Sequence, residues 1–221
     1  MRWHQLALGA LLAATGCTGG SRTSLNQVPL PDAAWDTASN SSLDLGYPTE
    51  NIGGQPRTSG RPGQIFPDLT LEGVRSKATL ATPEVISMFE FFDPTGARYD
   101  LLHVTAIFMW CPHCNNETND LASIAAWRAA HRVAVVQIAM QGYDYGGATP
   151  SWTEVQKWVG DHNLDFPVLV DGQGAELGKY FPVNSVPVNI AVNPRTMEVL
   201  DVQVGEVGST QSYEQGLLNS L

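Results

Sequence analysis

Two cysteines three positions apart, Cys111 and Cys114, are the residues of this sequence best placed to do chemistry. They frame a Pro-His pair in the segment Trp110-Cys-Pro-His-Cys114, directly after the apolar run 104–110. Such a pair can work as a redox dithiol, as half of a metal site or as a structural staple. A bridge that closes so small a loop removes little entropy from the unfolded chain, so the staple is the weakest of the three.

The cysteines lie where a predicted strand ends and a predicted helix begins. This position predicts different roles for the two thiols. Pro112 suits the first position of a helix, where its missing N–H costs nothing. The free N–H groups and dipole of that helix then favour a thiolate at Cys111, and His113 adds to the effect. Cys114 lies one turn further along and is more shielded. We therefore expect Cys111 to attack a disulfide and Cys114 to resolve the mixed disulfide, with no dissociable cofactor and no metal.

Alternating strand and helix patterns surround this segment and predict an α/β fold with helices on both faces of the sheet. The residues Ser151-Trp-Thr-Glu154 form a capping-box pattern that opens a helix to about residue 162. Residues 86–92 and 98–102 flank a turn at 93–96 and are expected to be strands. Further strands are predicted at 104–110, 133–140, 166–170, 188–192 and 199–204, and helices from the cysteines onward, at 174–180 and at 210–221.

The N-terminal sixty residues have a different character. Residues 6–14 form a short apolar run after a single basic residue, which has the proportions of a signal peptide rather than of a membrane span. Ala14-Thr-Gly-Cys17 resembles a bacterial lipobox, although Ala14 replaces the usual leucine. We expect a signal peptide at 1–16, a lipidated Cys17 with a polar tether over 17–61, and a folded domain at 62–221. A cleaved signal with a chance cysteine is the alternative.

The composition narrows the class of partner. The chain has 221 residues, 22 acidic and 12 basic side chains, and a formal charge of −10. This balance disfavours nucleic acid, which is bound through Lys and Arg. With Cys17 assigned to lipid, only Cys111 and Cys114 remain of the three cysteines, and export would place them where disulfides persist.

Taken together, the dithiol and a second segment resemble the thioredoxin fold. Val186-Pro187 lies in Asn184-Ser-Val-Pro-Val-Asn-Ile190 and is similar to that family's cis-proline loop, which faces the dithiol. Pro187 follows Cys114 by 73 positions. This spacing is similar to that of the membrane-anchored TlpA/ResA-like group, which has an extra strand-helix unit between the two points, here residues 133–163. The resemblance covers residues 62–221 and implies a central mixed sheet flanked by helices.

The resemblance also implies site roles. Glu117 follows Cys114 by three positions, as in the WCxxCxxE pattern of the group, which makes it a candidate base for Cys114. Trp110, Pro112, Val186 and Pro187 would form the substrate surface. Implied partners are cysteine-containing proteins of the bacterial cell envelope and a membrane redox protein that recharges the dithiol.

Three departures from the pattern stand out. Pro-His is the dipeptide of oxidising DsbA, whereas many TlpA-like proteins are reductants, so the direction of electron flow stays open. Thr105 stands where thioredoxin has a buried aspartate, and Asn119 where the helix often has a kinking proline.

Two other functions fit this sequence less well than disulfide exchange. A copper- or zinc-binding lipoprotein on the same fold would use Cys111, Cys114 and one or two histidines, but no second CxxC or HxxxH is present. The candidate histidines are His103, His113, His131 and His162. A thiol peroxidase would need a threonine three positions before its reactive cysteine, where this chain has Phe108.

Overall fold

The apolar segment that precedes the dithiol forms the central region of a seven-stranded sheet. A computed structural model describes residues 46–52 and 62–221. In it, strand β3 (Leu101–Phe108) is buried along nearly its whole length, as expected of a strand covered on both faces. Its neighbour β4 (Val133–Gln141) is buried in the same way and runs parallel to it.

The remaining elements follow from short, well-delimited segments. The other strands are β1 (Thr70–Val74), β2 (Glu84–Ser87), β5 (Val168–Val170), β6 (Val188–Asn193) and β7 (Glu198–Val204). The α-helices are α1 (Pro112–Ser123), α2 (Ala125–Ala130), α3 (Trp152–Asp161) and α4 (Thr210–Leu218). Short 3-10 helices lie at Lys77–Thr79, Met88–Phe91, Gly172–Gly174 and Leu177–Lys179.

The strand order is β2-β1-β5-β4-β3-β6-β7, and the sheet is mixed. Strands β3, β4 and β5 are parallel, whereas β1 is antiparallel to both β2 and β5. On the other side, β6 is antiparallel to β3 and β7. The expected α/β thioredoxin fold, a central mixed sheet with flanking helices, is therefore confirmed.

Two cores lie on the two faces of the sheet. Side chains of α1, α3 and α4 pack into one core, together with both cysteines of the dithiol. The other core contains Phe66, Met88, Leu177 and Phe181, which come from loops and 3-10 helices. Regular α-helices thus cover the face that carries the dithiol, whereas loops and short 3-10 helices cover the opposite face, so of the helices predicted on both faces only those on the dithiol face are α-helices.

Several element boundaries differ from the sequence prediction. Residues 86–92 do not continue as a strand, because Ser87 caps a 3-10 helix and Glu90 completes a capping box with it. The predicted strand at 98–102 begins only at Leu101, so no hairpin forms around the turn at 93–96. The helix expected at 174–180 is a pair of 3-10 turns, and strand β1 was not predicted.

Residues 46–52 contact the domain although they fall within the expected tether. The Tyr47 hydroxyl donates a hydrogen bond to the Phe66 carbonyl (2.7 Å), and Asn51 Nδ2 donates to the Gly63 carbonyl (2.7 Å). The predicted signal peptide, Cys17 and most of the tether lie outside the described residues. Within 46–52 and 62–221, no helix has the length and apolar character needed to cross a membrane.

Candidate dithiol site

The two cysteines lie where β3 ends and α1 begins. Cys111 is the N-cap of α1, and Pro112 occupies the first helical position, as the sequence predicted. The side-chain amide of Asn115 donates hydrogen bonds to the carbonyls of Met109 (3.1 Å) and Cys111 (3.0 Å). This amide fixes the end of the strand against the first turn of the helix, and so fixes the position of Cys111.

Cys111 faces the loop that precedes β6. The Val186–Pro187 peptide bond is cis, which confirms the prediction made from the sequence. The Cys111 Sγ lies 3.9 Å from the Val186 carbonyl oxygen. Cys111 is 6% exposed, so only a small part of the residue is accessible to a substrate sulfur.

Cys114 is the more protected of the two thiols. Its side chain is fully buried, and both cysteines are free, so the structure describes the reduced form. Burial raises the pKa of the Cys114 thiol well above its ordinary value. Its contact with Cys111 and the charge of Glu117 act in the same direction, whereas a backbone hydrogen bond from Phe108 opposes them. Cys114 therefore needs a base before it can attack.

Glu117 lies one helical turn after Cys114 and is almost completely buried. Its carboxylate accepts hydrogen bonds from the Thr105 hydroxyl (3.2 Å), the Asn189 amide (3.1 Å) and the Val207 backbone N–H (3.1 Å). Burial raises the pKa of Glu117, and the hydrogen bonds and the nearby His103 only partly offset this. A carboxyl group whose pKa is raised toward neutrality can exchange a proton with a thiol.

A second buried pair lies behind Glu117. His103 Nδ1 is 2.8 Å from a Glu214 carboxylate oxygen, and His103 Nε2 is 2.8 Å from the Asn189 amide oxygen. Burial alone would lower the pKa of His103, but Glu214, Asn189 and Glu117 outweigh burial and raise it. Both ring nitrogens face oxygen acceptors, which favours the imidazolium form between the Glu214 carboxylate and the Asn189 amide.

His113, one of the two residues between the cysteines, points toward solvent. It is 69% exposed, and its Nδ1 lies 2.8 Å from a carboxylate oxygen of Glu206. Glu206 lies in the loop between β7 and α4. The imidazole is thus held in place by that loop.

An aromatic surface flanks the dithiol on the other side. The Trp110 ring packs edge-on against Tyr145 with a centroid distance of 4.5 Å, and Tyr145 is 84% exposed. Trp110 Nε1 donates a hydrogen bond to the Gln141 side chain (2.9 Å), which orients the indole. This surface is suited to hold an apolar segment of a polypeptide next to Cys111.

A family model identifies the protein family of this chain. The model of the AhpC/TSA family matches residues 62–200, which contain both cysteines and Pro187. The chain belongs to the AhpC/TSA family. No curated protein matches the sequence.

Solved structures resemble this AhpC/TSA chain in fold. A Chlorobium tepidum protein described as a thiol:disulfide interchange protein DsbE superposes with a TM-score of 0.55 at 16% identity, covering 73% of this chain and 98% of that one. A DsbF homologue from Corynebacterium diphtheriae gives 0.50 at 19%, covering 75% and 99%. A reduced 2-Cys peroxiredoxin from Plasmodium vivax gives 0.55 at 12%, covering 72% and 94%.

Membership of the AhpC/TSA family supports thiol oxidoreductase chemistry in general terms. The family name alone does not choose between disulfide exchange and peroxide reduction. Phe108 occupies the position where a thiol peroxidase needs a threonine, and its ring packs on Trp110 with a centroid distance of 5.5 Å. In this AhpC/TSA chain, the position is therefore part of the aromatic surface.

The structure brings most of the predicted site residues together and adds others. Cys111, Cys114, Glu117, Val186 and Pro187 meet at one end of the sheet, with Trp110 and Pro112 beside them. Sequence reasoning missed Asn189, Glu214, Glu206 and Gln141 as members of the site, since nothing in their local sequence distinguishes them. Tyr145 stands in the Gly/Tyr-rich loop 142–147, whose composition is the one signal that pointed toward it.

The histidines proposed for the metal alternative are engaged elsewhere. His131 bonds the Trp127 carbonyl, and His162 bonds the Asn119 side chain, while His103 and His113 face Glu214 and Glu206. Across the described residues, no three His, Cys, Asp or Glu side chains are grouped to hold a metal ion. Asn119 also does not break α1 where a proline would, because the break comes at Ile124.

Proposed function

We propose that this protein is an exported, lipid-anchored thiol–disulfide oxidoreductase of TlpA-like type that works through its Cys-Pro-His-Cys dithiol. The observation that carries the proposal is the asymmetry of the two thiols. Cys111 lies at a helix N-terminus beside the cis-proline loop, and Cys114 is buried one turn above Glu117. That asymmetry suits one thiol for attack on a partner and the other for release of that partner.

The exchange proceeds in two displacements. The Cys111 thiolate attacks one sulfur of a substrate disulfide, a Cys111–substrate bond forms, and the other substrate sulfur leaves with the electron pair of the broken bond. Cys114 then gives its proton to Glu117 and attacks Cys111 Sγ. The Cys111–Cys114 disulfide forms, and the substrate sulfur leaves as a thiolate that takes up a proton. Two electrons pass from the dithiol to the substrate, and the reverse sequence oxidises a substrate dithiol.

Four residues are proposed to hold the substrate chain. Trp110 and Pro112 border the dithiol on the side of the helix, and Val186 and Pro187 border it on the side of the loop. The Val186 carbonyl already points at Cys111 Sγ, so a chain lying along this loop would bring its cysteine sulfur to the same place. His113 would tune the stability of the reduced form.

The cellular setting is proposed from the N-terminal sequence and the resemblance. A lipid on Cys17 would anchor the protein on the extracytoplasmic side of a bacterial membrane. Its clients would be envelope proteins with cysteines, such as apocytochromes or metallochaperones, and a membrane redox protein would recharge the dithiol. The signal sequence and lipid can be checked by mass spectrometry of the mature N-terminus.

Trapping of the intermediate tests the exchange. The Cys114→Ser variant should accumulate a mixed disulfide between Cys111 and envelope proteins, whereas the Cys111→Ser variant should accumulate none under the same conditions. Capture by both variants alike, or by neither, would contradict the proposed division of roles.

The reduction potential of the dithiol tests the direction of transfer. It can be measured by thiol alkylation across a glutathione redox series. DsbA lies about 150 mV above thioredoxin. A value near DsbA would mean that the protein donates disulfides, and a value near thioredoxin would mean that it reduces them. Absence of any reversible disulfide would contradict the proposed function.

A further inference from the structure

A continuous line of buried polar groups runs from the C-terminal helix to Glu117, one helical turn after the resolving cysteine. Glu214 on α4 contacts His103 on β3, His103 contacts Asn189 on β6, and Asn189 Nδ2 donates to Glu117 on α1. The side chains of His103, Asn189 and Glu214 are fully buried, and that of Glu117 nearly so. Three ionisable groups are therefore enclosed behind Cys114 in one hydrogen-bonded chain.

Such an arrangement has a high free-energy cost if its purpose is only to hold α4 against the sheet. A buried ion pair contributes little net stability, because the desolvation of both charges offsets their attraction. The second Glu214 oxygen, Oε2, is buried and has no hydrogen-bond partner among the described residues, which adds to the cost. An apolar pair of similar volume would serve a purely structural purpose better.

We propose that His103 and Glu214 are positioning residues for the proton transfer at Glu117. Glu214 keeps His103 as an imidazolium, and this buried cation, linked through the Asn189 amide, keeps Glu117 available as a carboxylate that can take the Cys114 proton. The inference rests on the proposed exchange function and deepens it, because it assigns the groups that make its base effective.

The charges around the line agree in sign with this role. Burial raises the pKa of Glu117, and the charge of His103 is the largest of the effects that lower it. The other ionisable groups nearby are Cys114 on α1, Tyr213 on α4 and Asp201 on β7, which accepts a hydrogen bond from the Tyr213 hydroxyl (3.1 Å). Among His103 and these neighbouring groups, only His103 can carry a positive charge. Its loss would therefore raise the pKa of Glu117, which would stay protonated up to a higher pH.

The proton balance of the resolving step is simple. The proton on Cys114 Sγ moves to a Glu117 oxygen, the new thiolate attacks Cys111 Sγ, and the displaced sulfur carries away the electron pair. Glu117 then returns its proton to solvent or to the leaving thiolate. His103 keeps its proton throughout, so the His103–Glu214 pair acts on the rate through Glu117 alone.

The test uses the Glu214→Gln variant, which keeps the size of the side chain and an oxygen for His103 but removes the charge. The reduced protein is mixed with an aromatic disulfide whose thiolate product is coloured. One equivalent of colour reports attack by Cys111, and the second reports release by Cys114. We expect the pH profile of the second phase to move about one unit higher in the variant, which is about a tenfold slower release on the rising limb.

Two further variants make the result decisive. His103→Gln also removes the cation and should shift the second phase in the same direction, and Glu214→Gln should have no added effect in a Glu117→Gln background. Glu84→Gln, which removes a surface carboxylate bonded to Arg75 (2.6 Å), is the matched control and should leave the profile unchanged.

The outcomes separate the inference from the function on which it rests. If both variants fold and lose thermal stability but keep the wild-type pH profile, the pair is structural and the inference is wrong. If the wild type itself releases no second equivalent, both the exchange function and the inference fail.

Discussion

The Nδ1 atom of His113 and a carboxylate oxygen of Glu206 lie 2.8 Å apart, which ties the residue between the two cysteines to the loop before α4. The Pro-His pair between the cysteines therefore has a hydrogen-bond contact outside the dithiol segment. Glu206 occupies one ring nitrogen, so the position of the imidazole depends on a residue outside the dithiol.

His113→Ala should make the dithiol more reducing. Loss of the imidazole removes a side chain that can donate a hydrogen bond to a thiolate of the reduced form, so the reduction potential should fall by roughly 30 mV, which is about tenfold in the equilibrium constant. The measurement is the glutathione redox series described above. Asn116→Ala, an exposed change on the same helix, should leave the potential where it is. A rise in potential on His113→Ala would show that the imidazole acts against the thiolate.

Glu117→Gln should slow resolution and stabilise the fold. The amide oxygen can still accept from Asn189 and Val207, and the amide NH2 can donate to the Thr105 hydroxyl, which then accepts, while a buried charge is avoided. Because the pKa of Glu117 is raised in the folded state, the wild type is most stable below the unfolded pKa of about 4.3 and loses stability as the pH rises through the folded value. The variant lacks this loss.

The free energy of urea unfolding should therefore favour Glu117→Gln at neutral pH and should be the same for both proteins near pH 4. A pH-independent difference would contradict a titrating buried carboxyl. The release of the second coloured equivalent should slow by roughly 100-fold, since a positioned base contributes 10²–10⁴-fold.

Tyr145→Ala should impair reaction with polypeptides and spare reaction with small thiols. The exposed ring extends the Trp110 surface, and one aromatic contact is worth about 0.5–1.5 kcal/mol, or roughly two- to tenfold in kcat/KM. Rates with a cysteine-containing peptide and with dithiothreitol provide the comparison. Phe89→Ala, at another half-exposed aromatic side chain, is the control. Equal losses with both reductants would place Tyr145 in the folding of the site and not in substrate contact.

Gly73→Ala should weaken the attachment of β1 to β5. A Cβ at this position would lie 2.3 Å from the Val168 carbonyl oxygen, a backbone atom that cannot move aside without distorting β5. We expect a loss of about 1–3 kcal/mol in unfolding free energy. Gly216→Ala in α4 meets nothing within 4 Å and should instead gain about 0.5–1 kcal/mol. Similar effects at both glycines would contradict this packing.

The parts of the site that were predictable from sequence are those encoded at short range. Cys111, Cys114 and Glu117 share one helix, and Pro187 follows a recognisable spacing. The buried pair behind them was hidden, because His103 and Glu214 are 111 residues apart and only the fold brings them together. The sequence makes His103 a candidate metal ligand, whereas in the structure its ring nitrogens contact the Glu214 carboxylate and the Asn189 amide.

The fold was predictable on the same terms. Long apolar strands such as β3 and β4 were evident, since burial on both faces leaves a continuous hydrophobic run. Strand β1 was missed because its five residues include Glu72 and Gly73 and show no strong pattern. The apolar content of residues 86–92 predicts a strand, whereas the local capping by Ser87 and Glu90 turns the chain into a 3-10 helix.

The hydrogen bonds that join α1 to Val207 and to Thr210, the first residue of α4, have a consequence for the biogenesis of the protein. Val207 donates to Glu117, and Thr210 donates to Asp120 through both its N–H and its hydroxyl, in each case 90 residues after the carboxylate that it serves. A chain emerging from a ribosome has both cysteines long before it has these partners. We therefore expect the nascent chain to carry two ordinary thiols, open to any oxidant it meets, until α4 docks and converts them into a paired nucleophile and resolver.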